Sequence, residues 1–357
     1  MEKFTKELTK EDVKNTIDML TQSDLNRLIK ELKLKGEINK EDKEINSQNE
    51  NIRELLKQKV EEINDINIIF DNFENNKLFK YGAMFKVTEE KSIDEDFFSP
   101  MKANIGTSVT NELALFESED LFILKTVQIL NGIKLSNNDE NAQTLRYSSR
   151  FPIIAIVYPE TSVIDIKVHT APSILRGNNN NFYYEKINAM RTQIENQFGI
   201  NLEPLEMFSV VNDIIENDID DVKVSSQKMD FTSGANAVLS ASKMEAEEIL
   251  LPIIGELSKI IKDNNDLFEA NESSKQIFDL LNDFIMETKD TSDLPWISLT
   301  WLNSVKTRMI QVKFLFDNYS NYDFTMLQFY NNSRGLEGMI YVAKFLINSI
   351  KEDSPGT

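Results

Sequence analysis

Three side chains near the middle of the sequence have the types and spacing that could cleave a phosphodiester bond. Asp165-Ile166-Lys167 sets a carboxylate and an ammonium two residues apart, which on a strand means on one face. Glu160 stands in the turn just before them. Two carboxylates can hold Mg²⁺, which polarises a phosphate and lowers the pKa of the attacking water, while a lysine orients that water. His169 continues the same face, but the chain has one histidine and no cysteine, so it has no partner for nucleophilic chemistry. A hydrogen-bonded structural role is the expectation for it. Thr170 points to the other face and does not help.

This pattern resembles the site of metal-dependent nucleases of the restriction-endonuclease type, and the resemblance implies Mg²⁺ as the cofactor. Glu160 departs from it by lying only five residues before Asp165, closer than such a site needs. The same alternation is what any strand with one wet face shows, with solvated side chains pairing across strands. A second feature is the basic segment from Trp301 to Phe316, read as a helix. It carries Lys306, Arg308 and Lys313 and no acid, so it suits an anion or an acidic partner segment. Trp296 and Trp301 beside it read as core or interface anchors. Asp220-Asp221, Glu247-Glu248 and the Asp279/Asp283 pair fall in no calcium-loop pattern, so no metal site is assigned.

Composition narrows the chemistry further. Without cysteine there are no disulfides, thiolate nucleophiles, iron–sulfur clusters or cysteine zinc sites, and one histidine rules out a multi-histidine cage. No Gly-rich phosphate-binding motif opens a helix. The net charge is −20 and unevenly spread: residues 1–60 hold 13 acids and 13 bases, residues 201–300 hold 21 acids and 7 bases. Such a field disfavours nucleic acid and membranes and attracts basic partners. No apolar run is long enough to span a bilayer, and the N-terminus lacks an export signal, so a cytoplasmic protein is expected.

The elements that must position these residues follow from periodicity. Thr9 with Asp12 opens a helix through Val13, Ile17 and Leu20, and Ser23 is read as the cap of a second through Leu25, Leu28 and Leu32. Residues 35–51 are polar enough to be read as a mobile loop, before a third helix through Leu55, Leu56 and Val60. Two short helices around this connector resemble helix-extended-helix modules that bind nucleic acid, although the connector is long and the segment has no net positive charge. Ile66–Phe70 and Tyr81–Val87 read as strands, and Leu121–Leu130 as either strand or helix. Phe151–Tyr158 and Val163–His169 form a hairpin about Pro159-Glu160-Thr161-Ser162. Helices are predicted over 182–198 and 205–215, then two strands within 222–241. From Ser242, four amphipathic stripes read as helices, with Pro252 kinking or restarting the first.

The expectation is therefore an α+β protein in three parts. Residues 1–64 form a helical N-terminal module, 65–241 a central α+β domain built on the hairpin, and 242–357 a helical, bundle-like domain. The expected function is a non-enzymatic interaction or regulatory protein within a complex, bacterial or phage-borne, with no cofactor. Its expected partner is a protein, a basic one by charge, with self-association a further option. The alternatives are a Mg²⁺-dependent nuclease using Glu160, Asp165 and Lys167, and a DNA-binding regulator acting through the N-terminal helices.

Overall fold

A computed structural model describes residues 8–38, 49–88, 93, 95–101, 105–106, 108–118, 121–136, 143–217, 221–231, 234–241, 252–290, 292–302, 309–317, 320–330 and 335–352. Helices and antiparallel sheet make the protein α+β, as the sequence predicts. Two compact units are present, residues 1–205 with 334–351 and residues 206–333 with 352–357. Among the described residues no helix is long and apolar enough to cross a membrane.

The first unit opens with α1 (Lys10–Met19), α2 (Gln22–Leu34), α3 (Asn49–Glu62) and α4 (Ile66–Asn75). Thr9 and Asp12 form the predicted capping box on α1. Thr21, not Ser23, caps α2, with its hydroxyl accepting from the Asp24 amide. Val13, Ile17, Leu25, Leu28, Leu56, Val60 and Phe70 fill the core between these helices. Ile66–Phe70 is therefore not a strand. Ile66, Ile69, Phe70 and Phe73 are buried at i, i+3, i+4 and i+7, the spacing of one helix face. Of the polar stretch read as a loop, residues 39–48 lie outside the described residues, and α3 already begins at Asn49.

The strands of this unit are β1 (Tyr81–Val87), β2 (Ala114–Ser118), β3 (Leu121–Ser136), β4 (Gln143–Tyr158), β5 (Val163–Val168) and β6 (Leu202–Pro204). They run antiparallel in the order β2-β3-β4-β5-β1-β6. The predicted hairpin is β4–β5, closed by a 3₁₀ turn at Pro159–Thr161 with Ser162 in the left-handed region at φ 53°. Between β5 and β6 come α5 (Ser173–Arg176) and α6 (Phe182–Phe198). The expected wet face of β5 does not exist, because all six of its residues are buried. On one side Tyr183 and Phe182 of α6 meet Tyr81 and Phe151, with ring centroids 3.9 Å and 5.5 Å apart. On the other side the sheet meets α4.

That second contact is ionic. Arg150 of β4 grips Glu74 with two hydrogen bonds, of 3.1 Å and 2.9 Å, and reaches Asp71 at 2.7 Å. Lys125 of β3 lies 2.8 Å from Asp71 and 2.9 Å from Glu74. The Ser108 amide donates to the other Asp71 oxygen at 3.0 Å. All four charged side chains are buried. Burial alone would raise the Glu74 carboxyl, but Arg150 and then Lys125 and Lys77 bring it down to about 2.

Gly82 makes room for the β5 lysine. A Cβ there would stand 2.8 Å from both the Ile166 carbonyl oxygen and Lys167 Cδ. Gly82→Ala is expected to cost about 1–3 kcal/mol in denaturant unfolding; a cost near zero would mean that β1 shifts freely at this position.

The second unit comprises α7 (Met207–Glu216), β7 (Val222–Phe231), β8 (Asn236–Ser240), α8 (Pro252–Asp263), α9 (Asn265–Phe268), α10 (Glu272–Asp290), β9 (Ser292–Trp301), β10 (Ile310–Leu315) and β11 (Met326–Tyr330). Its strands run antiparallel in the order β11-β10-β9-β7-β8. The C-terminal α11 (Leu336–Glu352) belongs with the first unit.

One expectation for the C-terminal third is corrected. Of the stripe from Leu302 to Phe316, residues 303–308 lie outside the described residues and 310–315 are not helical, for β10 buries Ile310, Val312 and Phe314 and half-buries Gln311, Lys313 and Leu315, which is period two. Pro252 is the first described residue of α8, in line with the helix restart expected there, a position where its missing N–H costs nothing. Met244 and Ile249 of that stripe lie outside the described residues.

Candidate functional site

The predicted nuclease residues are not brought together around open space. Asp165 and Lys167 point to one face of β5, both fully buried, with Lys167 Nζ 2.7 Å from Asp165 Oδ1. Their strand neighbours on that face are Ile156 and Met84 beside Asp165, and Ile154 and Gly82 beside Lys167. Burial raises the Asp165 carboxyl to about 6 against the opposing pull of Lys167, and burial likewise lowers the Lys167 ammonium. Glu160 is exposed in the turn, where it lines a cavity of about 560 Å³ with Thr161 and Lys344. Such a constellation does not fit Mg²⁺: one carboxylate is closed in the core against an ammonium, and the other opens to solvent. Among the described residues no group of three or more His, Asp or Glu could hold a metal ion.

His169 follows β5, and its Nδ1 lies 2.9 Å from the Leu78 carbonyl, a hydrogen-bonded arrangement like the one expected. Lys306 and Arg308 lie outside the described residues. Lys313 sits on β10 with its ammonium 3.5 Å from the centroid of the Trp296 ring, and burial lowers its pKa. Trp301 is a core residue 6.4 Å from Phe314.

The polar residues missed by reading the sequence are the four buried charges Asp71, Glu74, Lys125 and Arg150. A usable signal existed for two of them. Lys125 interrupts the apolar run Leu121–Leu130, and Arg150 immediately precedes the run Phe151–Tyr158. A charge inside a buried strand needs a buried counter-charge.

The most unusual surface belongs to the helices of the second unit. α8, α9 and α10 share a small core of Ile254, Ile261 and Ile285, against which Leu257, Phe268, Phe278 and Leu281 pack. Phe278, Leu281 and Ile285 occupy i, i+3 and i+7 of α10 and so form its inward stripe. Ile277, Leu280 and Phe284 repeat the same spacing one residue earlier, yet they are 52%, 69% and 53% exposed. Reading Ile277, Leu280, Leu281 and Phe284 as one buried stripe thus merges two neighbouring stripes, of which one packs into the small core and the other is more than half exposed. Asp279 and Asp283, both exposed, lie one helical turn apart along the outer flank of the exposed stripe. Ile260 of α8 and Leu267 of α9 add exposed apolar side chains to the same group of helices.

A three-residue aliphatic and aromatic stripe in water is costly unless something covers it, and acids along its edge choose the sign of what does. The sequence matches no protein-family model and no curated protein.

Proposed function

We propose that this protein is a non-enzymatic interaction protein that works inside a protein complex, and that α10 carries its docking stripe. The occupant we assign to it is an amphipathic helical segment of a partner, apolar along one face and flanked by Lys or Arg. The observation that supports this reading is the exposure of Ile277, Leu280 and Phe284 on a helix whose adjacent stripe is already packed. Burying a Leu or Phe side chain of this kind contributes about 1.5–3 kcal/mol, so three of them can anchor a helix-in-groove contact. Charge selects among occupants. Asp279 and Asp283 flank the stripe within a segment of 21 acids and 7 bases, which repels a second copy of the chain and attracts a basic helix.

The test uses fluorescence anisotropy of the full chain with two designed helical peptides, identical in their leucine face and differing in lysine or glutamate flanks. The lysine peptide should bind, weaken as salt rises, and lose at least about 10-fold in affinity with Leu280→Asp or Phe284→Asp at unchanged far-UV circular dichroism. Equal binding of the glutamate peptide, or full binding by the two variants, would overturn the assignment. A dimer in sedimentation that dissolves on Leu280→Asp would replace the basic partner with a second copy.

A further inference from the structure

A cavity in the first unit is independent of the α10 surface. It measures about 450 Å³ and lies among the start of α2, the segment after α4, the middle of β4 and the segment after β5. That is an ordinary size for a small-molecule site. Leu130, Phe151 and Leu175 contribute apolar wall; Arg150 lines it too but is committed to Asp71 and Glu74, which leaves Asp24, Lys77 and His169 as the charged and titratable groups.

Each of these three has chemistry left to satisfy. Lys77 is 3% exposed, and among the described residues its ammonium has the ring of Phe73 at 5.2 Å and no hydrogen-bond acceptor. Burial lowers its pKa, opposed by Glu74 and Asp24. Glu74 is already committed to Arg150 and Lys125. The Leu78 carbonyl can only accept, so His169 Nδ1 carries the proton that lies between them, 2.9 Å apart. Burial and then Lys77 hold the ring down at about 4, so it is neutral near pH 7 and Nε2 is an acceptor. Asp24 Oδ2 stands 3.8 Å from that Nε2 and takes one hydrogen bond, of 2.8 Å, from Thr21. Two acceptors therefore face each other across a gap that calls for a donor, near an ammonium that calls for an acceptor.

Charge balance narrows the ligand further. Behind the wall Arg150 and Lys125 are matched by Asp71 and Glu74, which leaves one acid, Asp24, and one base, Lys77, on the cavity, neither more than 4% exposed. A ligand with net charge would leave one buried charge uncompensated, whereas a dipolar ligand of zero net charge would not.

We propose that this cavity binds a small zwitterion with an apolar body, of the class of an apolar α-amino acid. Its carboxylate meets Lys77, its ammonium bridges Asp24 and His169, and its side chain lies against Leu130, Phe151 and Leu175. Titration calorimetry on the full chain near neutral pH tests this with L-leucine and L-phenylalanine. The controls are 4-methylpentanoate, which is leucine without the amine, and isoamylamine, which is leucine without the carboxylate. At least one amino acid should bind with a sub-millimolar Kd, and each truncated analogue should bind at least about 10-fold more weakly. Equal binding of 4-methylpentanoate would make this an anion site, equal binding of isoamylamine a cation site, and either result overturns the proposal. So does the absence of binding by both amino acids at roughly 10 mM. In Lys77→Met, with circular dichroism unchanged, leucine should lose its advantage over isoamylamine; a retained advantage would exclude Lys77 as the carboxylate's partner.

Discussion

Arg150→Met is expected to lower the unfolding free energy by about 3–5 kcal/mol, because it leaves two buried carboxylates with one cation between them. Domain stabilities are about 5–15 kcal/mol, so a loss of that size takes a large share of the total. Both tryptophans, Trp296 and Trp301, lie on β9 of the second unit. Their fluorescence reports on the second unit, so hydrogen exchange at the amides of α4 and β4 is the measurement that reports on this change directly. Acid should accentuate the contrast. The Glu74 carboxyl lies at about 2 in the fold and at its ordinary 4.5 when unfolded. The unfolded chain thus binds more protons in that window, and the stability Glu74 contributes is present above 4.5 and lost as pH falls toward 2. In Arg150→Met this acid sensitivity should shrink. A stability loss below about 1 kcal/mol would show that α4 is not held to the sheet by these ions.

The second large effect is a failure of additivity at Asp165 and Lys167. Lys167→Met alone should cost about 3–5 kcal/mol near neutral pH, since it isolates a carboxylate with no water around it. The double change Asp165→Leu with Lys167→Met should be close to neutral or stabilising by about 1–4 kcal/mol, because it removes both desolvated charges at once. The pH dependence has the opposite sign to that of Glu74. The Asp165 carboxyl is raised from 3.8 to about 6, so the fold binds more protons in that interval and stability falls as pH rises through it. The double variant should lose this decline. Denaturant titrations at several pH values decide the matter, and a double variant as damaged as the sum of the two singles would mean that the two charges are not coupled.

Where the sequence misled, the cause was a covering element that local pattern cannot show. Val163–Val168 alternates apolar and polar residues, and alternation ordinarily means one face in water. Here α4 brings Asp71 and Glu74 onto β3 and β4 from more than fifty residues away, and Asp165 and Lys167 of β5 are buried as well. The hairpin itself was readable, because Phe151–Tyr158 has the continuous apolar character of a strand buried on both sides. Ile66–Phe70 was misread for want of length: five residues look like a strand until Phe73 completes the helical spacing. Leu302 to Phe316 erred the other way. Its residues fit a helical stripe when sampled every three or four positions, but Ile310, Val312 and Phe314 alternate. The α10 surface was half legible. Its apolar content stood out, while the division into a packed and an exposed stripe depended on where α8 lies, which no local rule supplies.

The lone imidazole of this protein has a practical consequence for spectroscopy. Its nitrogen and carbon-bound proton resonances have no others of their kind to overlap with, so a single set of signals arises from the wall of the 450 Å³ cavity. The tether from Nδ1 to the Leu78 carbonyl fixes one tautomer, and any guest that donates to the opposite nitrogen must move those signals without labelling or mutation.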